Sequence, residues 1–254
     1  MFYIILVTVL GSVFAGPLLR DVSDDWRIIN GTNAEPGQYP YHVSLQNNGE
    51  HFCGATILTP TWCLTAAHCV VGKDVEKLSV LAGTVLLSKG GVRQAVQKYK
   101  VHEGYNSSNN WENDIALIQL QTPLEFNDLV QPLPQLQQGE ETSPRTSVTV
   151  VGWGRTSTGG ERPDNLQTVD ILTFSDEECR SILNDIIHTS QICAGLPEGH
   201  KGECNGDSGG ALVADGFQVG IVSWSYKPCT KPPRPSGVYT QVSYYIDWIK
   251  DNIE

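Results

Sequence analysis

The chain has 254 residues, 40% hydrophobic and 18% charged, which is enough to bury one sizeable core or two small ones, so disorder is not expected. Its 17 basic and 28 acidic residues give a formal net charge of −11. An acidic surface repels phosphates, which disfavours sequence-independent binding to nucleic acid or to an anionic membrane.

The N-terminus contains the one long apolar run, Phe2 to Phe14, which is too short to span a bilayer comfortably. It ends in Val13-Phe14-Ala15, a small-residue cleavage pattern. We interpret residues 1–15 as a signal peptide and expect the protein to be secreted and extracellular. A membrane anchor is the alternative, disfavoured by the weak basic flank and the Gly16-Pro17 break.

Secretion places the seven cysteines in an oxidising compartment, where six can pair and one is left over. Cys63, in the apolar stretch Trp62-Cys63-Leu64, is the candidate for the odd one. Its surroundings favour a buried thiol that packs as a small hydrophobic group. An intermolecular disulfide is the alternative.

Short runs rich in Val, Ile, Leu and Thr recur between Gly, Pro and Asn clusters, a pattern that predicts a sandwich or barrel of strands. The predicted strands are Tyr41-Leu45, Phe52-Leu58, Leu78-Ala82, Ile115-Leu120, Val148-Val151, Gln167-Leu172, Phe217-Trp224 and Gly237-Val242.

Two helices and a linker complete the predicted elements. A stripe of apolar residues spaced at helical intervals from Val242 to Ile253 predicts a C-terminal helix. Ser175, followed by three acidic residues, is typical of a helix start and predicts a shorter helix there. The proline-containing and polar stretch Gln131 to Pro144 is typical of a surface linker between two halves.

Three motifs, far apart along the chain, carry a histidine, an aspartate and a serine. They are Leu64-Thr65-Ala66-Ala67-His68-Cys69, Asn113-Asp114-Ile115-Ala116-Leu117 and Asn205-Gly206-Asp207-Ser208-Gly209-Gly210. A serine hydroxyl needs a base to become a nucleophile, and a carboxylate holds that base in one tautomer. The order His68, Asp114, Ser208 is one known chain order for such triads. Each motif alone is a weak signal, but together they predict nucleophilic catalysis.

At these residues the sequence resembles the chymotrypsin-like serine proteases (S1 family, invertebrate chymotrypsin or trypsin type) from Ile28 to the C-terminus. The resemblance implies an all-β fold of two six-stranded antiparallel β-barrels with a C-terminal α-helix, barrel one at about 28–131 and barrel two at about 144–254. It makes Ser208 the nucleophile, His68 the general base and then acid, and Asp114 the orienting carboxylate. The N–H groups of Gly206 and Ser208 would form the oxyanion hole.

The segment Arg27-Ile28-Ile29-Asn30-Gly31 resembles the family's activation site. A trypsin-like cut after Arg27 would free the amine of Ile28 to pair with a buried Asp207 and complete the oxyanion hole. Residues 16–27 would then be an activation propeptide. An uncleaved surface loop is the alternative, and it would leave Asp207 a buried charge without a partner.

The resemblance also implies three disulfides and two strand matches. The disulfides are Cys53–Cys69, Cys179–Cys193 and Cys204–Cys229, and each would stiffen the site by closing a loop. Cys63 has no partner in this scheme. Gly152-Trp153-Gly154 matches the start of the second barrel, and Ser223-Trp224-Ser225 matches the strand that pairs with extended substrate.

The primary substrate pocket is the part of the predicted site for which the sequence leaves the most alternatives. The position at its base, where an Asp would select Lys or Arg, is Gly202, and the other positions map to Glu203, Ser225 and Gly237. Small walls predict an open slot for a large apolar or aromatic side chain. The Glu203 side chain has three possible states. It stays ionised and selects basic residues, it pairs with a cation at the rim of the pocket, or burial keeps it protonated. The rim cations are Lys201, Lys227, Lys231 and Arg234.

We therefore expect a secreted endopeptidase made as a zymogen, acting on protein or peptide substrates. The expected partners are an activating trypsin-like protease and protein protease inhibitors, and a monomer is expected. No cofactor is expected. The resemblance implies that calcium-binding family members take carboxylates from a loop in the first barrel, and since the matching stretch Leu81 to Val92 contains none, no metal is expected. Two sequons, at Asn30 and Asn106, leave glycosylation open. The alternative from another class is a non-catalytic protease homologue that acts as a binding module.

Overall fold

The computed structural model describes residue 28 and residues 31–199, 201–229 and 237–253. The predicted signal peptide, the predicted propeptide with Arg27, and the rim cations Lys231 and Arg234 lie outside the described residues. No helix within the described part of the chain is long and apolar enough to cross a bilayer.

Six antiparallel strands close the first barrel in the order β2-β3-β4-β7-β6-β5, with β5 paired back to β2. Their buried side chains, such as Val43, Leu45 and Leu117, fill its interior. The strands are β2 (His42–Asn47), β3 (Glu50–Ile57), β4 (Trp62–Thr65), β5 (Leu78–Ala82), β6 (Val92–Val101) and β7 (Ala116–Leu120).

The second barrel closes in the order β8-β9-β10-β13-β12-β11, with β11 paired to β8, and a short strand β1 (Thr32–Asn33) adds to β9. Ile28, Val148 and Val150 belong to its core. The strands are β8 (Ser147–Gly152), β9 (Gln167–Phe174), β10 (Gln191–Gly195), β11 (Ala211–Ala214), β12 (Phe217–Ser225) and β13 (Gly237–Gln241).

Within the described ranges, three α-helices and two 3₁₀ turns lie outside the barrels. They are α1 (Ala67–Val70), α2 (Asp176–Leu183) and α3 (Ile246–Asn252), with 3₁₀ turns at Val75–Lys77 and Val242–Tyr245. The apolar face of α3, through Ile246 and Ile249, packs into the core of the first barrel. The C-terminal segment of the second half therefore ties the two barrels together.

The predicted fold class of two six-stranded barrels with a C-terminal helix is confirmed. All eight predicted strands are present within a few residues, and a helix follows Ser175 as expected. Five strands were not predicted: β1, β4, β6, β10 and β11. Strand β6 was not predicted because it is largely exposed and rich in polar residues, so it lacks the apolar run that marks a buried strand.

Candidate active site

The side chains of His68 and Asp114 are directly paired. His68 lies on the single turn of α1, whose other residues from Ala67 to Val70 are buried, so the turn directs His68 away from the core. Its backbone N–H donates to Asp114 Oδ1 at 2.9 Å, and its ring Nδ1 is 2.7 Å from Oδ2. The Asp114 side chain is completely buried while that of His68 is 24% exposed. One ring edge is thus fixed by a carboxylate and the ring remains accessible.

Two side chains of the second barrel hold Asp114 in place. Ser223 Oγ in β12 donates to Asp114 Oδ2 at 2.6 Å, and Thr240 Oγ1 in β13 donates to the Asp114 backbone oxygen at 2.7 Å. Asp114 itself precedes β7 of the first barrel. The histidine–aspartate pair therefore lies at the junction of the two barrels. Thr240 was not singled out from the sequence, since a lone strand threonine carries no motif.

The loop that carries Ser208 packs against the strands that lead to His68. Gly54 N–H in β3 donates to the Ser208 carbonyl at 2.8 Å. At Gly209, where φ is +81°, an added Cβ would lie 2.2 Å from Thr65 Oγ1 and 2.5 Å from the Gly54 carbonyl oxygen, so only glycine fits. Among the described residues no hydrogen bond joins the Ser208 hydroxyl to His68. Such bonds often tighten only when substrate binds.

The peptide groups of the predicted oxyanion hole are fixed through their carbonyls. Arg155 N–H donates to the Asn205 carbonyl at 2.7 Å, and Gly210 N–H donates to the Asp207 carbonyl at 3.0 Å. In a planar trans peptide the N–H points opposite to the C=O, so these bonds orient the N–H groups of Gly206 and Ser208. Neither N–H has a partner within the described ranges.

A buried histidine, His51, braces the same loop. Its Nε2 is 3.1 Å from the Gly206 carbonyl oxygen, and its Nδ1 is 2.9 Å from Ser44 Oγ. Burial lowers the pKa of His51 to about 3, so the ring is neutral. A neutral ring donates from one nitrogen, and a carbonyl can only accept, so Nε2 carries the proton and Ser44 donates to Nδ1. His51 lies in no motif that sequence analysis could single out.

Asp207 is a buried carboxyl whose hydrogen bonds come from backbone N–H groups. Gly154 N–H donates to Oδ1 at 2.7 Å and Cys204 N–H donates to Oδ2 at 2.8 Å. Burial raises its pKa to about 7. A Cβ at Gly152 or Gly154 would lie 2.1 or 2.3 Å from its side chain, which explains both glycines of Gly152-Trp153-Gly154. No cation pairs with Asp207 within the described part of the chain.

Ile28 is completely buried in the core of the second barrel. Asp207 lies in the loop between β10 and β11 of the same barrel. The residue that would become a new N-terminus therefore already lies in the protein interior. Arg27, the predicted cleavage residue, is outside the described chain.

Glu203 is buried and hydrogen-bonded to a tyrosine that sequence reasoning missed. Tyr239 O–H donates to Glu203 Oε2 at 2.6 Å, and burial raises the pKa of Glu203. Oε1 has no partner among the described residues and lies 2.0 Å from the position of an added Cβ at Gly237. No salt bridge joins Glu203 to Lys201 or Lys227. Glu203 thus covers Gly237, and its neighbour Gly202 is buried with φ of +144°.

Ser223, Trp224 and Ser225 are the last three residues of strand β12. Ser225 is paired with Gly237 in β13, next to Glu203. The ring of Trp224 stacks on that of Trp111 with centroids 5.8 Å apart. The end of this strand thus runs from the Ser223–Asp114 hydrogen bond to the strand pair that Glu203 contacts at Gly237.

Three disulfides surround these residues: Cys53–Cys69 next to His68, Cys179–Cys193 between α2 and β10, and Cys204–Cys229 next to Glu203. They are the pairs that the resemblance implies. Cys63 is a free, buried thiol in β4, and burial raises its pKa to about 12. Such a thiol is unreactive at neutral pH.

Within the described chain, one cluster of His, Cys, Asp and Glu side chains is compact enough to hold a metal ion: Cys53, His68 and Cys69. Both cysteines are joined in a disulfide and one nitrogen of the histidine ring faces Asp114. Metals bind thiolates and free imidazole nitrogens, so this cluster does not offer a ligand set. The absence of a metal remains a prediction.

Comparison with known proteins identifies the family. A sequence model described as Trypsin matches residues 28–249. The chain is 43% identical over 240 residues to Trypsin-1 of Astacus astacus, an alignment that covers 89% of this chain and 99% of that protein. It is 38% identical over 257 residues to Trypsin of Phaedon cochleariae, covering 99% of this chain and 98% of that protein. The chain therefore belongs to the trypsin family of serine endopeptidases.

Proposed function

We propose that the protein is a secreted serine endopeptidase, made as a zymogen, that hydrolyses peptide bonds through an acyl-enzyme on Ser208. The observation that carries this proposal is the buried Asp114 carboxylate bonded to His68, beside a Ser208 loop with two oriented N–H groups that have no partner among the described residues. These are the parts that acyl transfer requires: a nucleophile, an oriented base and donors for an oxyanion.

In the proposed mechanism, Ser208 Oγ attacks the substrate carbonyl carbon while His68 Nε2 accepts the hydroxyl proton. Asp114 keeps the other proton on Nδ1, so that Nε2 is the free base, and it stabilises the imidazolium that forms. The carbonyl oxygen becomes an oxyanion, which accepts hydrogen bonds from Gly206 and Ser208 N–H. His68 then protonates the leaving amine. Water, deprotonated by His68, attacks the ester and releases the acid and Ser208.

The proposed zymogen step is supported by the environment of Asp207. Its carboxyl is buried and forms no salt bridge with any described residue, and its pKa of about 7 reflects the cost of ionising it there. Cleavage after Arg27 would give Ile28 a charged amine, and Ile28 already lies in the interior of the same barrel. A buried ion pair between the two would hold Asp207 ionised and lock the loop that carries Gly206 and Ser208.

For the substrate, we propose a large apolar or aromatic side chain before the cut. Glu203 is buried, and burial raises its pKa, which favours the neutral acid and an apolar slot. The alternative is selection of Lys or Arg by Glu203, and it is favoured by Oε1, which has no partner within the part of the chain that the structure describes. The name trypsin, carried by both relatives, also keeps this alternative open for the present chain.

The test is to cleave the purified chain after Arg27 and measure turnover of matched peptides with Phe, Leu or Arg before the cut. Preference for Phe or Leu supports the apolar slot, and Glu203→Gln should then leave the ranking unchanged, since a glutamine oxygen can still accept from Tyr239. Preference for Arg that Glu203→Gln abolishes assigns selection to the Glu203 charge.

Ser208→Ala is the control in both cases. Turnover that survives in Ser208→Ala, or no turnover of any peptide by the parent chain, contradicts the proposed chemistry. The second outcome supports the non-catalytic binding module.

The remaining features of the proposal concern location and partners. Three disulfides fit an oxidising, extracellular environment, and an activating trypsin-like protease and protein inhibitors are the expected partners. A monomer is expected, without cofactor or metal. The acidic net charge of −11 gives no basis for nucleic-acid binding.

A further inference from the structure

Asp114 sits at the centre of a three-residue turn whose first residue, Asn113, has an unusual backbone conformation. The φ angle of Asn113 is +55°, in the left-handed region that asparagine tolerates better than most residues. Ile115 N–H donates to the Asn113 carbonyl at 2.8 Å and closes the turn around Asp114. The direction of the Asp114 side chain therefore depends on the conformation of Asn113.

The side chain of Asn113 is held at both of its polar atoms. Nδ2 donates to the Gly104 carbonyl at 2.8 Å, and Oδ1 accepts from Tyr245 O–H at 2.8 Å. Tyr245 is 2% exposed, and burial raises its pKa, so the hydroxyl stays protonated and available as a donor. The edge of its ring packs on His102, with centroids 5.3 Å apart.

Tyr245 belongs to the 3₁₀ turn that leads into α3, after the last strand of the second barrel, whereas Asn113 and Asp114 belong to the first. The hydrogen bond between Tyr245 and Asn113 thus crosses from one barrel segment to the other. Ser223 and Thr240 reach Asp114 itself from the second barrel, while Tyr245 reaches the residue that sets its turn.

We propose that Asn113 and Tyr245 are positioning residues: they fix the turn that aims the Asp114 carboxylate at His68. They act through Asp114 and are not themselves reacting groups. This inference rests on the proposed function, since it assigns them a role in the same reaction.

Two substitutions test the inference on the activated full-length enzyme. Tyr245→Phe keeps the ring and its packing but removes the donor to Asn113, and Asn113→Gly keeps a backbone that tolerates positive φ but removes both side-chain bonds. We expect each to lower kcat about tenfold with KM changed less than twofold, because small misalignment of a catalytic group slows the reaction more than it weakens binding. Tyr244→Phe is the matched control, because Tyr244 is adjacent and 49% exposed, and it should leave kcat unchanged.

A double-mutant cycle with Asp114→Asn separates positioning from a general effect on the fold. If Tyr245 acts through Asp114, then Tyr245→Phe in the Asp114→Asn enzyme causes little further loss of kcat. The same tenfold loss in both backgrounds, unchanged kcat in both single variants, or a rise in KM with constant kcat overturns the inference. If Asp114→Asn alone leaves kcat intact, the proposed function fails instead.

Discussion

Three buried titratable side chains, Asp207, His42 and His51, give the stability of the chain a particular pH dependence. Burial raises the pKa of Asp207 from 3.8 to about 7, so between these values the folded chain binds a proton that the unfolded chain has lost. Asp207 therefore contributes stability that is lost as the pH rises from about 4 to 7. The histidines act in the opposite sense: burial lowers both pKa values from 6.5 to about 3, so their contribution is lost on acidification.

We predict that Asp207→Asn removes the loss of stability between pH 4 and 7. The measurement uses the uncleaved chain in a Ser208→Ala background, which prevents self-cleavage. Between pH 4 and 7 the free energy of unfolding of the variant, relative to that of the parent, should rise by up to about 4 kcal/mol. Urea unfolding at several pH values measures this. Asp215→Asn, at an exposed turn, is the control. Parallel curves for parent and Asp207→Asn would rule the prediction out.

His42 allows a complementary prediction on the acid side. Its two ring nitrogens have no partner among the described residues, and the ring packs on Trp153 with centroids 5.2 Å apart. Replacement by the similarly sized leucine should reduce the stability lost between pH 6.5 and 3 by up to about 5 kcal/mol, because leucine takes up no proton on unfolding. The same urea series measures it. An equal acid loss in parent and His42→Leu would show that His42 is not the titrating group.

At the scale of elements, the start of α2 is stabilised by a reciprocal capping box. Glu178 N–H donates to Ser175 Oγ at 3.2 Å, and Ser175 N–H donates to Glu178 Oε2 at 3.1 Å. Ser175→Ala should lower the free energy of unfolding by about 1 kcal/mol, since it leaves a helix N–H unpaired, with kcat/KM unchanged. Ser181→Ala, in the exposed middle of the same helix, is the control. Equal stability of the two variants would argue against the box.

The predictability of the elements follows burial. A strand that is buried at nearly every position stands out in the sequence as an apolar run. Strand β5, Leu78–Ala82, is an example, and its predicted bounds equal the observed ones. Strand β6, Val92–Val101, has only Val96 fully buried, so its pairing with β5 and β7 rather than its composition makes it a strand. The four-residue strands β4 and β11 are too short for a periodic signal.

At the scale of the whole molecule, the candidate site depends on the closure of both barrels. The motifs around His68, Asp114 and Ser208 are visible in the sequence because their residues do the proposed chemistry. The residues that brace these motifs and Glu203, such as His51, Thr240 and Tyr239, are isolated polar side chains on strands that meet the site only after folding. Such partners cannot be found from the sequence, because no motif and no regular spacing connects them to the residues of the site.

Activation also belongs to this scale, since it would link the N-terminal cut to the site. We predict that cleavage after Arg27 raises kcat/KM by at least about a hundredfold in the parent, because the ion pair would hold the oriented N–H groups of Gly206 and Ser208 in place, and far less in Asp207→Asn. An amide cannot form the ion pair that the new amine of Ile28 requires. Cleavage is followed by N-terminal sequencing and activity by peptide turnover. Equal activation of parent and Asp207→Asn would refute the proposed pair.

The central claim is that Ser208 is a nucleophile activated by His68 and Asp114. The most direct measurement is labelling of the cleaved chain with a fluorophosphonate, followed by mass spectrometry of the whole protein and of its peptides. We predict one adduct per molecule, located on Ser208, formed far more slowly in His68→Ala and not at all in Ser208→Ala. Labelling at another residue, or equal labelling rates in the parent and His68→Ala, would contradict the claim.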